Sequence, residues 1–172
     1  MAFHHVAIAT TDLDATHRFY TEAMGFELVK VDAAPTPDPG WARHLFYDTG
    51  NGEMLAIWDL HVPSFDGYRT EISTGLGLPP WVNHIAFDSP DLDDLELRLK
   101  RWLDQGLECV RIDHGWCTSI YTNDPNGITV EFCSSTRALT DADRAEAHQL
   151  RTASKPQLAS PSPEVEFFTA NA

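Results

Sequence analysis

The sequence is poor in three features: paired cysteines, basic residues and long apolar runs. Its three cysteines, at 109, 117 and 133, form no CxxC motif, and such a set is typical of a reducing compartment. Lys and Arg total 12 against 26 Asp and Glu, and this net charge of −14 disfavours binding to nucleic acid or anionic lipid. No apolar run approaches the roughly 18 residues of a membrane span. We therefore expect a cytoplasmic protein with neither nucleic-acid nor membrane partners.

The excess of acidic residues is divided evenly between two parts of the chain. Residues 1–60 carry 3 bases and 9 acids, and residues 81–135 carry 4 and 10, so each part has a net charge of −6. Residues 61–80 and 136–172 are each net −1. This symmetry indicates an internal repeat.

The repeat is visible when the two parts are aligned. Residues 3–15, FHHVAIATTDLDA, match residues 82–94, VNHIAFDSPDLDD, and the alignment places His5 over His84. The period is 84 − 5 = 79 residues. Each part begins with an apolar strand pattern that leads through an Asp-Leu turn into a helix.

Local signals then give the same order of elements in both parts. Asp12 and Asp91 stand where an N-cap is expected, and Gly25 and Gly106 stand where a helix ends. Three strand patterns follow each helix, and Asn-Gly pairs mark a hairpin turn between the last two. Each part is therefore predicted to be a β-α-β-β-β module of an α+β fold.

The rest of the chain is predicted to connect or follow these modules. A capped helix is expected after the second module, with Thr140 as N-cap and Asp143 at the third helical position. The Pro- and Ser-rich end is expected to be mobile, although its Phe167-Phe168 pair leaves docking on the core or on a second subunit open. The predicted segments of this single domain are a first module at 1–60, a connector at 61–80, a second module at 81–135, a helix at 136–153 and a mobile tail at 154–172.

Strand alternation places three polar side chains on inward faces. His5 and His84 each share a strand with aliphatic or aromatic residues that point towards the helix side. In the last strand of the second module, Glu131 lies between Val130 and Phe132. Because an unpaired carboxylate is costly to bury in such surroundings, a metal held by the two histidines and Glu131 would compensate its charge.

Two imidazoles and one carboxylate are the ligands of the facial triad, which leaves positions open for substrate and for oxygen or water. A single strand histidine is more often a core residue, but equivalent repeat positions favour the ligand interpretation of His5 and His84. His4 lies on the opposite face, and we interpret it as structural or partly exposed.

The first module supplies no carboxylate equivalent to Glu131. Aligning the two hairpins places Ala56 over Glu131. The nearby acids Glu53 and Asp59 lie on the other face of a regular strand and would need a β-bulge to reach a metal. Three protein ligands are therefore expected rather than four.

Together these motifs resemble the vicinal oxygen chelate superfamily, which includes glyoxalase I, bleomycin- and fosfomycin-resistance proteins, methylmalonyl-CoA epimerase and extradiol dioxygenases. The resemblance covers residues 3–135 and implies a cupped, eight-stranded mixed sheet around one metal, with helices outside. The motifs that carry it are HVAI at 5–8, D-L-x5-FY-x4-GF at 12–26, NHIAF at 83–87 and DPNGITVEF at 124–132.

Within the superfamily, a His, His and Glu set is similar to that of the extradiol dioxygenases and the fosfomycin thiol transferases. A similar segment of the extradiol enzymes carries a His, a Tyr and the ligand Glu, and Tyr121 keeps their ten-residue spacing to Glu131. His114 stands seven residues before Tyr121, slightly closer than in those enzymes. The alternatives are a packed strand aromatic for Tyr121 and a solvated loop histidine for His114.

The resemblance implies an extradiol-type dioxygenase that chelates the vicinal oxygens of a catechol-like substrate. Fe(II) is favoured because oxygen activation needs a redox metal, with Mn(II), Zn(II) and Ni(II) as alternatives. His114 would move the substrate proton and Tyr121 would hydrogen-bond a bound oxygen. The expected assembly is a homodimer, and the expected pocket residues are Leu45, Met54, Trp58 and Trp116.

The sequence leaves two other functions open. The first is a glyoxalase- or epimerase-type lyase or isomerase, or a thiol transferase, that polarises an oxygen pair without O₂. The second is a small-molecule binding or resistance protein that keeps the metal site as a remnant. The open coordination positions of a three-ligand site favour an enzyme over the binding protein.

Overall fold

The fold was determined as a computed structural model, which describes residues 3–158 and 162–170. Its α+β class agrees with the prediction, and the β-α-β-β-β order occurs twice. The first set comprises β1 (His5–Thr10), α1 (Leu13–Arg18), β2 (Glu27–Pro35), β3 (Trp41–Gly50) and β4 (Glu53–His61). The second set and the elements after it are β5 (His84–Asp88), α2 (Leu92–Asp104), β6 (Cys109–Asp113), β7 (Cys117–Asn123), β8 (Thr129–Ser135), α3 (Asp141–Thr152) and β9 (Glu164–Phe168).

The helix signals act as the sequence predicts. The Asp12 carboxylate accepts a hydrogen bond from the Ala15 backbone amide, and Asp91 accepts one from the Asp94 amide, so both are N-caps. Helix α1 continues into a π-helical turn, Phe19–Ala23, that the sequence did not indicate. At the end of α2, Gly106 has a φ of 78°, a left-handed conformation that glycine adopts without steric cost.

The strands form two sheets rather than the single eight-stranded sheet that was expected. One sheet has four strands in the order β1-β4-β3-β2, and the other has five in the order β5-β8-β7-β6-β9. In the first sheet β1 is parallel to β4, whereas β2, β3 and β4 are antiparallel. A bulge interrupts the β2–β3 pairing between Leu28 and Lys30, and another interrupts the β3–β4 pairing between Asp48 and Gly50.

The chain divides into two compact units. The first comprises residues 1–87 and 122–131, and the second comprises residues 88–121 and 132–172. His5, His84 and Glu131 all belong to the first unit, whereas His114 and Tyr121 belong to the second.

In the first unit, one face of the four-stranded sheet packs into the core. Leu45 and Ile57 are partners in register and are both buried, and Tyr47 packs near Tyr20 of the π-helical turn at a ring separation of 6.1 Å. By alternation, the opposite face carries His5 and its neighbours on β3 and β4. The register of the sheet therefore decides which residues stand beside His5.

In the second unit, α2 buries one apolar face. Leu95, Leu99 and Trp102 are buried, and the Trp102 ring lies 5.4 Å from that of Phe132. The Arg98 guanidinium covers the other side of the Phe132 ring at 4.0 Å. These contacts fix one face of β8 against the helix.

Helix α3 carries the predicted capping box, in which the Thr140 side chain accepts from the Asp143 amide and the Asp143 side chain accepts from the Thr140 amide.

The segment predicted to be mobile contains β9, which pairs antiparallel with β6. Within this chain Phe168 lies under the Arg111 guanidinium, whereas Phe167 is 79% exposed, and docking on a second subunit stays a prediction. Among the described residues, no helix combines the length and the apolar character needed to cross a membrane.

Candidate metal site

His84 and Glu131 come together on neighbouring strands of the first unit. His84 begins β5, and Glu131 lies in β8, which is next to β5 in the sheet. The His84 Nε2 atom is 3.0 Å from the Glu131 Oε2 atom. The sequence placed these two residues in one ligand set, and the structure places them in direct contact.

The position of Glu131 follows from the alternation of β8. Val130 and Phe132 on either side are buried, with Phe132 packed against α2, so Glu131 is directed to the opposite face. Its side chain is only 7% exposed, whereas that of His84 is 33% exposed. A carboxylate as buried as this one requires a positive or hydrogen-bonding partner.

The hydrogen bonding of His84 bears on what the pair can hold. Its Nδ1 atom lies 3.1 Å from the Trp81 carbonyl oxygen, which can only accept, so Nδ1 carries the proton that it donates. With the proton on Nδ1, the Nε2 atom of a neutral His84 imidazole can only accept a hydrogen bond, and it faces an oxygen of Glu131. Two acceptors 3.0 Å apart need a shared proton or a cation between them.

The pair therefore fits a metal by its donor set and spacing. Metal-bound histidines commonly donate their second nitrogen to a carbonyl, as His84 does to Trp81. With metal–ligand bonds of about 2.1 Å, adjacent ligands of an octahedral ion are about 3.0 Å apart. The 3.0 Å separation of the His84 and Glu131 atoms is compatible with this spacing and is also that of a hydrogen bond.

His5 lies elsewhere in the first unit, within a group of aromatic rings. Its ring makes edge contacts with Phe46 at 5.6 Å and with His44 at 6.0 Å between centroids. Its Nδ1 atom is 2.7 Å from Nδ1 of His4, and both side chains are exposed. The His44 ring in turn stacks on Trp58 at 3.8 Å.

His5 does not join His84 and Glu131. Within residues 3–158 and 162–170, no three His, Cys, Asp or Glu side chains are grouped so that they could hold a metal ion. Two of the three predicted ligands are thus in contact, and the third is displaced from them. The three-ligand site stays a prediction.

Strand β4 has no carboxylate at the position equivalent to Glu131, as the sequence indicates. Ala56 is fully buried and lies in register with Ala7 and Phe46. Asp59 pairs with Thr10 of β1 without a bulge, so it stays on the other face of β4. Its carboxylate instead contacts Arg43 Nε at 3.3 Å.

In the second unit, the predicted His114 and Tyr121 are in contact with each other. The His114 Nε2 atom lies 3.1 Å from the Tyr121 hydroxyl. His114 is placed by the turn between β6 and β7, where its backbone amide donates to the Cys117 carbonyl. An imidazole and a phenol at this distance form a hydrogen bond. The roles that the resemblance implies, proton transfer by His114 and hydrogen bonding to a bound oxygen by Tyr121, stay predictions.

The predicted pocket residues fall in three different places. Met54 and Trp58 share the His5 face, with Trp58 37% exposed. Leu45 is buried on the opposite, core-packed face. Trp116 lies in the second unit and is 40% exposed, and its carbonyl accepts a hydrogen bond from the Thr136 amide.

Sequence reasoning missed His44 and Phe46, which share the His5 face with Trp58. Alternation along β3 places His44 and Phe46 on one face. The β3–β4 register then sets His44 opposite Trp58 and Phe46 opposite Ala56. Burial first, and then the charge of His5, lowers the pKa of the His44 imidazole from its usual value. This neutral, stacked imidazole adds to an aromatic surface beside His5.

Comparison with known proteins identifies the family of the chain. A family model described as the Glyoxalase/Bleomycin resistance protein/Dioxygenase superfamily matches residues 2–132. The biphenyl-2,3-diol 1,2-dioxygenase 3 of Rhodococcus globerulus is 30% identical over 132 residues, which cover 74% of this chain and 60% of the relative. The chain thus spans about 60% of the length of this curated relative.

Solved structures show the same fold at low sequence identity. A glyoxylase/bleomycin resistance protein/dioxygenase domain from Frankia sp. EAN1pec has a TM-score of 0.58 and 18% identity, over 78% of this chain and 98% of that one. The fosfomycin resistance protein FosX from Listeria monocytogenes has a TM-score of 0.52 and 19% identity, over 79% and 94%. At these identities the likeness concerns the fold alone.

Proposed function

Because the chain belongs to the Glyoxalase/Bleomycin resistance protein/Dioxygenase superfamily, we propose that it is a metal-dependent enzyme that binds the vicinal oxygens of a small substrate. The reaction proposed is extradiol-type cleavage of a catechol-like ring by O₂. The relative at 30% identity carries a dioxygenase name and supports this reaction class. The observation that carries the proposal is the contact of the buried Glu131 carboxylate with His84.

The proposed ligands are His5, His84 and Glu131, with Fe(II) as the favoured ion. When bound, such an ion would accept both substrate oxygens and lower the pKa of a bound hydroxyl. His84 and Glu131 have the donor atoms for it, and the Trp81 carbonyl orients the His84 ring so that Nε2 faces Glu131. His5 has to approach the pair to complete the set.

We propose the remaining roles for side chains that do not bind the metal. The stacked rings of His44 and Trp58 offer a flat apolar surface to an aromatic substrate, which supports a catechol-like compound. His114 is proposed to take the substrate hydroxyl proton through the nitrogen that contacts Tyr121. Tyr121 is proposed to donate to a substrate oxygen. Assembly as a homodimer in the cytoplasm stays a prediction.

The second candidate is a lyase, isomerase or thiol transferase that uses no O₂. The observation that favours it is the donor set itself, since one imidazole and one carboxylate in contact suit Mn(II), Zn(II) or Ni(II) as well as Fe(II). The two candidates differ in whether oxygen is consumed.

The test is to purify the protein without oxygen, measure the affinity for each metal by calorimetry, and follow O₂ uptake with a panel of catechols. We expect Fe(II) binding, O₂ uptake and the absorbance of a ring-cleaved product. Tight binding of Zn(II) or Ni(II) without O₂ uptake would favour the second candidate.

Single substitutions distinguish the loss of a metal ligand from the loss of the folded structure. Glu131→Ala and His84→Ala should each abolish metal binding, and Glu53→Ala is the matched control because Glu53 lies outside the pair. Full metal occupancy in Glu131→Ala would contradict the proposed ligand set. Thermal unfolding of each metal-free variant establishes that it is folded.

A further inference from the structure

A cleft of about 530 Å³ lies in the first unit, at the ends of the parallel strands β1 and β4. Its volume is within the range of small-molecule sites, about 300 to 1,000 Å³. His84 and Glu131 are not among its lining residues, so it is distinct from the candidate metal site. The lining residues are Thr10, Thr11, Asp59, Leu60, His61, Val62, Pro63, Phe65, Asp66, Gly67 and Tyr68.

Asp59 is an ion-paired acid at the wall of this cleft. Its side chain is only 13% exposed, and its Oδ2 atom contacts His61 Nε2 at 2.9 Å and Arg43 Nε at 3.3 Å. The His61 ring stacks on Trp41 at 3.8 Å with an interplanar angle of 8°. A carboxylate held in this way is pre-oriented at the cleft wall and loses little freedom when it meets a ligand.

Two aromatic residues, Phe65 and Tyr68, also line the cleft. Tyr68 is anchored because its hydroxyl donates to the Thr10 carbonyl, and burial followed by the charge of Asp59 raises its pKa. The phenol therefore stays neutral and lies within electrostatic reach of Asp59. Phe65 ends the short 3₁₀ turn Pro63–Phe65 and is 44% exposed, so its ring is available to a ligand.

The charges of the lining residues specify the kind of ligand. Asp59 is already paired with Arg43 and His61, whereas Asp66 is exposed, and none of the lining residues is Lys or Arg. The aromatic faces of Phe65 and Tyr68 attract cations through their ring quadrupoles, and the Thr11 hydroxyl is a further polar group at the wall.

We propose that this cleft binds a small organic cation, a primary amine with an apolar body, separately from the metal site. The ammonium group would lie towards Asp66, and the apolar body would lie against Phe65 and Val62. The Asp66 carboxylate would repel an anionic compound of the same shape.

Three probes of one shape test the charge requirement. Benzylamine, benzyl alcohol and benzoate are titrated into ¹⁵N-labelled, metal-free protein while amide resonances are followed by NMR. We expect benzylamine, which is a cation at neutral pH, to shift the Gly67 and Tyr68 amides saturably, benzyl alcohol to bind more weakly, and benzoate not to bind. Equal or stronger shifts with benzoate, or none with benzylamine at tens of millimolar, would overturn the proposal.

Variants locate the binding. Asp66→Asn should weaken benzylamine about three- to fivefold, as for an exposed ion pair, and Phe65→Leu about two- to fivefold through the lost ring face. Asp38→Asn, a matched change of an exposed acid outside the cleft, should leave the affinity unchanged. An equal loss in Asp38→Asn would show a nonspecific attraction to the acidic surface and overturn the site. His84→Ala should bind benzylamine normally, so this result is independent of the proposed enzyme activity.

Discussion

The Tyr20 hydroxyl donates a hydrogen bond of 2.9 Å to the Asp124 carboxylate, across 104 residues of sequence. Asp124 also accepts from the backbone amides of Asn126 and Ile128, and so holds the turn that precedes β8. Both side chains are buried. Burial, as the largest cause, raises the pKa of Tyr20 and of Asp124. Two motifs that carry the family resemblance, FY and DPNG, are thus partners in one structural contact.

Removing this contact should destabilise the protein. Tyr20→Phe leaves one oxygen of the buried Asp124 carboxylate with fewer donors, and we expect a loss of about 1.5 to 3 kcal/mol in the free energy of unfolding. Tyr47→Phe is the matched control, because Tyr47 loses only a part-buried bond to His17. Chemical denaturation measures both, and an equal loss in the two variants would contradict the role of Asp124.

A carboxylate at position 56 tests the missing fourth ligand. Ala56 is fully buried, so Ala56→Glu should lose about 3 to 5 kcal/mol of stability without metal, as for an unpaired buried charge. If the His5 face adjoins the metal, excess Mn(II) should raise the Tm of Ala56→Glu more than that of the native protein. Ala56→Gln has the same size without the charge, and an identical Mn(II) response in both variants would refute a fourth ligand at this position.

The stability of α3 should depend on pH through Asp143. Hydrogen bonds from Arg137 first, and then from Thr140, hold the pKa of Asp143 well below its usual value. A depressed folded-state pKa stabilises the helix above the unfolded pKa of about 3.9, and this contribution is lost as pH falls below it. Amide hydrogen exchange of α3 should therefore accelerate below about pH 4 relative to unfolded peptide standards. Asp143→Asn should remove this dependence, whereas Asp93→Asn, a change in α2, should leave it intact.

The cysteines should differ in reactivity. Burial raises the pKa of the Cys109 thiol to about 12, and Cys117 is also buried, whereas Cys133 is partly exposed. Because the thiolate is the reactive form, iodoacetamide at pH 8 should label Cys133 first and Cys109 only after unfolding. Intact mass spectrometry measures the extent of labelling. Cys133→Ser should abolish the fast reaction, and persistence of that reaction would contradict the assignment.

The two adjacent phenylalanines of β9 should contribute unequally. Phe168 packs under the Arg111 guanidinium at 5.2 Å, whereas Phe167 is 79% exposed. We expect Phe168→Ala to cost about 1 kcal/mol and Phe167→Ala close to nothing in metal-free protein. Thermal or chemical unfolding measures the difference, and the reverse order would contradict the register of β9 on β6.

Local features of the site were predictable because they depend on neighbours in the sequence. Alternation along β8 directs Glu131 away from Phe132, and the repeat pairs His84 with His5. The contact of His84 with Glu131 agrees with that reasoning. The position of His5 beside His44 and Phe46 depends on strand register, which no local signal specifies.

The sequence by itself determined the repeated β-α-β-β-β order, the helix caps at Asp12, Asp91 and Thr140, and the absence of a second carboxylate opposite Glu131. These follow from short-range hydrogen bonding and side-chain alternation, which act within a few residues. Only the tertiary structure decided that the strands form two sheets, that the tail supplies β9, and that a cleft lies beside Asp59. Each of these depends on pairing between distant segments, where packing and register choose among arrangements that the local sequence permits equally.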